Sequence, residues 1–194
     1  GMLIDTIQHD IRENMLTSDI LTELMNPLRA LKSKMEEGNS AEELIALFEK
    51  QVEGRQKAME SLQKAGALSN RDKKKNRAVI KFMTTCEKQL RKESFQAAAE
   101  VFQVLKTAFD EKVTAYKADT AKVKERLHYL FVFVEDTFGS GNEMLILVTE
   151  CTVQADCARF ISLYGCEDYQ KHNEELMLTE RSDTLIEQIN ALEI

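Results

Sequence analysis

The chain has 194 residues and a formal net charge of −7. That is room for one domain with a sizeable core, and the wrong sign for a general nucleic-acid binder, whose basic surface must displace counterions. Seven glycines, one proline and no tryptophan exclude a β-sandwich or an α/β nucleotide-binding fold, both of which need far more turn chemistry. Alanine, leucine, glutamate and lysine dominate, so the expectation is all-α: an antiparallel helical bundle of about five or six helices with one unusually long central helix.

The first element is a short amphipathic stretch over residues 4–16, with Ile4, Ile7, Ile11 and Met15 on one face. Thr17-Ser18-Asp19 then offers a fresh N-cap, followed by a second face on Ile20, Leu24, Leu28, Leu31 and Met35. Pro27 falls inside that face, where its missing amide and its ring predict a kink, or an end near Met25-Asn26. Gly38-Asn39 reads as a left-handed stop. Ser40-Ala41-Glu42-Glu43 is a capping box that opens the next helix, with Leu44, Leu47, Phe48, Val52, Met59 and Leu62 on its face. Gly54 is tolerated inside it at about 1 kcal/mol, and Gly66 ends it.

Between Gly66 and Gly139 there is no glycine and no proline. Phe95, Ala98, Phe102, Leu105, Phe109, Val113, Tyr116, Val123, Leu127, Leu130 and Val134 recur three, four or seven apart, the spacing of one helix face. A single helix over this run would be on the order of 100 Å long, so it must break or project. Arg91-Lys92-Glu93-Ser94 contains no apolar residue and is the expected break, with Ser94 as the candidate cap. The first piece then carries Val79, Ile80, Met83, Cys86 and Leu90, and the second runs from Phe95 to Phe138. The domain reading is a single all-helical domain over residues 1–194, with 67–94 as the part placed to project from the main bundle.

Gly139-Ser140-Gly141-Asn142 is the strongest turn signal. Its flanks, 127–134 and 144–148, are rich in strand formers, so a β-hairpin competes with a helix pair. An isolated hairpin is marginally stable and finds no other strands here, and Met144, Val148, Cys151, Ala155, Ala158 and Ser162 keep helical spacing to Gly165. Helix is therefore expected. A last helix follows Gly165-Cys166, with Glu167 and Asp168 in its first turn and Tyr169, Leu176, Leu178, Leu185, Ile189 and Leu192 on its face.

Four groups of residues could carry chemistry. Glu125-Arg126-Leu127-His128 is an ExxH element, which on a helix puts a carboxylate and an imidazole on one face. Di-iron bundles of the ferritin-like type use two such elements with further glutamates; here only one is present, and Glu150 and His172, with Glu175 or Glu180 beside the latter, are the nearest substitutes. The cysteines, Cys86, Cys151, Cys157 and Cys166, form no CxxC pair and match no zinc-finger spacing with His172. They read as reduced, small hydrophobes; Cys166 alone precedes a helix start that could activate a thiol, and Glu167 and Asp168 oppose that.

Arg71-Asp72-Lys73-Lys74-Lys75-Asn76-Arg77 is a basic run in an acidic chain. Lys73, Arg77, Lys81, Lys88 and Lys92 can stack along one helix face, as a solvated surface or as a face for an anionic partner. The solvated surface is the first expectation. Cations at a helix start oppose the macrodipole, which adds some weight to an anionic partner, whether an acidic surface, a phosphate or the chain's own acidic C-terminal helix. Gly139-Ser140-Gly141-Asn142 lacks the preceding strand and following Lys-Ser/Thr of a phosphate loop, and reads as a helix–helix connection.

Together these features predict a non-enzymatic, cytoplasmic helical interaction or scaffold protein that meets a protein partner or a second copy, with a homodimer through the long helix as one form. No cofactor, nucleic acid or membrane span is expected: Met2-Leu3-Ile4-Asp5 turns polar at once, and no apolar run approaches the ~18 residues of a span. One alternative is a carboxylate–histidine metal bundle with Glu125, His128, Glu150 and His172 as ligands. Another is a helical membrane-active protein that exposes 127–134 with 144–148.

Overall fold

A computed structural model of the chain describes residues 2–157 and Glu187. The expected all-α bundle is observed: α1 (Met2–Glu36), α2 (Ala41–Lys64), α3 (Asn70–Lys92), α4 (Ala98–Phe138) and α5 (Met144–Cys157). No strand occurs among the described residues. Apart from Glu187, the predicted last helix, with Gly165, Cys166 and His172 before or within it, lies outside them. The chain divides into two compact units, one of Asp19–Lys112 and one of Gly1–Ser18 with Val113–Ile194.

Helix α1 corrects two expectations. It runs for 35 residues without a new start at Thr17-Ser18-Asp19 and without ending at Pro27. The Thr17 hydroxyl donates back to the Glu13 carbonyl at 2.9 Å, so it serves the helix it was expected to interrupt. Ser18 is buried, and with Ile11, Met15, Leu21, Met25 and Leu28 it makes an unbroken line at three- and four-residue spacing. Packing along that line outweighs the local capping preference. Pro27 is carried within the same packed face, and its carbonyl accepts from Gln51 Nε2 on α2 at 3.2 Å.

The helix ends are as the sequence implies. At Gly38 (φ +95°) and Gly66 (φ +64°) the chain enters the left-handed region that favours glycine. Both sites close a Schellman motif: Asn39 N–H donates to the Lys34 carbonyl, and Ala67 N–H to the Leu62 carbonyl. The Ser40–Glu43 capping box is formed in both directions, Glu43 N–H to Ser40 Oγ at 3.1 Å and Ser40 N–H to Glu43 Oε1 at 3.2 Å. The long run breaks where its apolar pattern lapses, after Lys92. Helix α4 resumes at Ala98 rather than Phe95, so Ser94 lies too far upstream to cap it. It is still the longest element, 41 residues or about 62 Å. The Gly139–Asn142 segment is a helix–helix turn, and α5 rules out the hairpin.

In the unit Asp19–Lys112, the core is built from Leu21, Leu24, Met25, Leu28 and Leu31 of α1, Leu44, Phe48 and Val52 of α2, Val79, Phe82, Met83, Cys86 and Leu90 of α3, and Val101, Leu105 and Phe109 of α4. Helices α2 and α3 pack directly against each other. Leu62, expected inside, is 42 % exposed, being in the last turn of α2 beyond Met59. In the other unit, Ile11 and Met15 meet Val123, Leu127, Leu130 and Val134 of α4 and Met144, Leu145 and Val148 of α5. Within this unit Asn14 Nδ2 donates to Thr120 Oγ1 at 3.0 Å, and Arg126 pairs with Asp10.

Phe48 is fully buried, so Phe48→Ala leaves a large cavity in the Asp19–Lys112 core. It is expected to lower the unfolding free energy by about 3–5 kcal/mol, seen as a fall in the urea midpoint. An unchanged midpoint would mean that this position is not part of the cooperative core.

Candidate functional site

The basic run begins α3, and the structure splits it in two. Ser69 caps the helix by accepting from Asp72 N–H at 3.1 Å. Arg71 reaches Asp19 Oδ2 on α1 at 2.7 Å, and Lys75 reaches Glu23 Oε1 at 3.5 Å. Glu23 also accepts from Arg55 of α2 at 2.6 Å. Arg55 donates in turn to Asn76 Oδ1 at 3.2 Å, while Asn76 Nδ2 donates to the Asp72 carbonyl at 2.9 Å. Acids of α1, an arginine of α2 and the first turns of α3 thus form one network.

Burial pushes the Glu23 carboxyl up, but the Arg55 hydrogen bond and charge, with Lys75, outweigh it and hold the group below the usual carboxylate range. At Asp19 burial wins over Arg71 and Lys75, and the carboxyl lies above its usual value.

The remaining cations of α3 point elsewhere. Arg77, Lys81, Lys88 and Lys92 are exposed and Lys73 is half-buried; none has an ion-pair partner among the described residues. At 100° per residue, they fall within an arc of about 100°, diametrically opposite the buried line of Val79, Phe82, Met83, Cys86 and Leu90. Lys74 belongs to the same arc, on the azimuth of Lys92, and completes the stripe that the sequence suggested. The acids of α3 lie off it: Asp72 near Lys75, and Glu87 bound to Arg91 at 2.7 Å. The stripe is about 28 Å long, of one sign, with Thr84 and Thr85 between its cations.

The other candidates gain less. Glu125 and His128 are both exposed on α4, and no group of three or more His, Cys, Asp or Glu side chains among the described residues could hold a metal ion. The side chains of Glu150, Cys151 and Cys157, and residues Cys166, His172, Glu175 and Glu180, lie outside the described residues. The Cys86 thiol is buried in the core, and burial pushes its pKa up to about 11, with Lys112 opposing; it is held protonated. At the start of α5, Asn142 Oδ1 accepts from Met144 N–H at 2.9 Å, so the chain's own side chain takes a position an anion would use. A cleft of about 230 Å³ is lined by three acids, Asp10, Glu13 and Asp119, and two bases, Lys122 and Arg126, with Arg126 paired to Asp10.

Helix α4 also carries an exposed apolar stripe. Tyr129 is 60 % exposed, and Val132, Phe133 and Phe138 are exposed with it, the two phenyl rings meeting edge-on at 6.5 Å. Ile146 of α5 is likewise 60 % exposed. No helix among the described residues is long and apolar enough to cross a membrane. Compared with known protein families, with curated proteins and with solved structures, the chain matches none.

The network gives a pH signature. A carboxyl whose folded pKa is depressed stabilises the fold fully above its unfolded value, and that stabilisation is lost as pH falls through the folded one. Glu23→Gln is therefore expected to cost about 1–2 kcal/mol at neutral pH, with the gap to wild type closing below roughly pH 4. Asp19 has the opposite sign, since its ionisation works against folding, and Asp19→Asn is expected to cost less than Glu23→Gln. Urea titrations of the three proteins from acid to neutral pH test both signs; a Glu23→Gln penalty independent of pH would contradict the assignment.

Proposed function

We propose that the chain is a non-enzymatic, cytoplasmic helical interaction protein whose outward α3 face docks an acidic surface of a protein partner. The observation that carries this reading is the stripe Lys73–Lys74–Arg77–Lys81–Lys88–Lys92: single-signed, facing away from the core, on a chain of net charge −7. An overall acidic protein that concentrates unpaired cations on one face creates a local field that steers an acidic partner and orients it. The stripe has no apolar side chain to insert into a lipid surface and no aromatic side chain to stack on a base, so an acidic protein fits it better than a membrane or a single-stranded nucleic acid. Protonated, buried Cys86 offers no nucleophile beside it.

Labelled poly-L-glutamate is the probe. Fluorescence anisotropy at about 20 mM salt is expected to show binding that weakens several-fold at about 150 mM, as screening shortens the reach of exposed charges. Arg77→Glu/Lys81→Glu/Lys88→Glu is expected to bind at least about tenfold more weakly, with an unchanged circular dichroism spectrum because these side chains hold no ion pair among the described residues. Equal binding by this triple variant would refute the reading.

A second reading, a helical membrane-active protein, is supported by the exposed Tyr129, Val132, Phe133, Phe138 and Ile146. Half of the segment that it would use, Leu127, Leu130, Val134, Met144, Leu145 and Val148, is buried and would have to be released. Dye release from anionic vesicles at acid or neutral pH is its expected signature, and tight vesicles at every pH would remove it.

A further inference from the structure

The unit that carries the basic stripe also carries its electrostatic complement. Where α3 passes into α4, a groove of about 630 Å³ is rimmed by Glu93, Glu100 and Glu111 and floored by Phe95, Val104 and Ala108. All three carboxylates are exposed, none has an ion-pair partner among the described residues, and no lysine or arginine lines the groove.

Glu100 and Glu111 are eleven residues apart on α4, three helical turns, so they share a face at a separation of about 16 Å. Arg77 and Lys88 on α3 have the same spacing, and so do Lys81 and Lys92. Two helices laid side by side can therefore bring both cations of a pair to both carboxylates at once. The apolar floor does not count against such a fit, because lysine and arginine stems lie along apolar surface while their heads stay at the polar rim. Ala99 and Ala108 leave room for the approach.

We infer that the acidic partner of the α3 stripe is this groove on a second copy of the chain, so that copies join head to tail. The inference rests on the α3 reading above and names its partner. The contact joins two different surfaces, stripe and groove, so each copy keeps one free surface of each kind and association is open-ended unless the geometry closes a ring. Exposed ion pairs are individually weak and screened by salt, so assembly belongs to low ionic strength and high protein concentration.

Sedimentation velocity of the full chain tests this. At about 20 mM salt the weight-average mass is expected to rise with concentration above the 22.2 kDa of the monomer, and to return to it at about 500 mM. Arg77→Glu/Lys88→Glu and Glu100→Gln/Glu111→Gln are each expected to stay monomeric. Mixed in equal amounts they are expected to give a species of twice the monomer mass and nothing larger, since only one intact stripe and one intact groove remain per pair. A wild-type chain that stays monomeric at low salt overturns the inference, as does a mixture that behaves like its separate components. If that monomer still binds poly-L-glutamate through Arg77 and Lys88, the α3 reading stands and only its assignment to a second copy falls. If it binds poly-L-lysine through Glu100 and Glu111 instead of associating, the groove belongs to a different, basic protein.

Discussion

The position of α3 depends on one ionic cluster: Glu23 held between Arg55 and Lys75, with Asn76 tying Arg55 to the first turn of the helix. Its members come from three helices and are partly shielded from water, where removing one partner costs more than an exposed pair would. A rotation of α3 by one residue would swing Lys75 and Asn76 about 100° away from Arg55 and Glu23. The apolar line Val79, Phe82, Met83, Cys86 and Leu90 fixes the same angle independently. Two constraints of different chemistry agree, and the agreement leaves one face of the helix without an ion-pair partner among the described residues.

Much of this fold could be read from local chemistry. The Ser40–Glu43 box, the stops at Gly38 and Gly66 and the lapse in apolar pattern at Arg91–Ser94 all act within a turn or two of chain, so sequence spacing suffices to find them. Helix α1 was not legible in the same way. Thr17-Ser18-Asp19 and Pro27 are sound local signals for a boundary, and they lose to a packed line that includes Leu21 and Met25, positions the periodic reading passed over. Capping is worth about 1 kcal/mol, and each fully buried leucine or methionine about 1.5–3 kcal/mol, so the longer-range term prevails.

The site was half legible for a related reason. That α3 is basic follows from composition, and that Lys73, Arg77, Lys81, Lys88 and Lys92 share a face follows from 3.6 residues per turn. Which cations of the run are consumed does not follow. The carboxylates that take Arg71 and Lys75, Asp19 and Glu23, are about fifty residues upstream on a different helix. Only the fold brings them together, and only the fold separates a structural half of the run from an unpaired one. Phe82 was missed as a core residue, and it takes Lys112 over its ring at 5.6 Å, a cation–π contact invisible to periodicity.

That separation also resolves why cations stand at a helix start. Positive charge there opposes the macrodipole by about 0.3–1 kcal/mol per group, a penalty that α3 would incur several times over if its run were uncompensated. Asp72 lies in the first turn, the Ser69 hydroxyl caps an amide, and Asp19 and Glu23 approach from α1, so the N-terminus is largely answered from within the chain. Lys73 and Lys74 are left over, on the outward side, where no acid of α3 answers them. They stabilise nothing in the isolated helix, and an anionic surface laid along the stripe would offset both their repulsion from the dipole and their repulsion from one another. Unsatisfied charge at this point costs the free chain some stability and gives a bound partner that much more to gain.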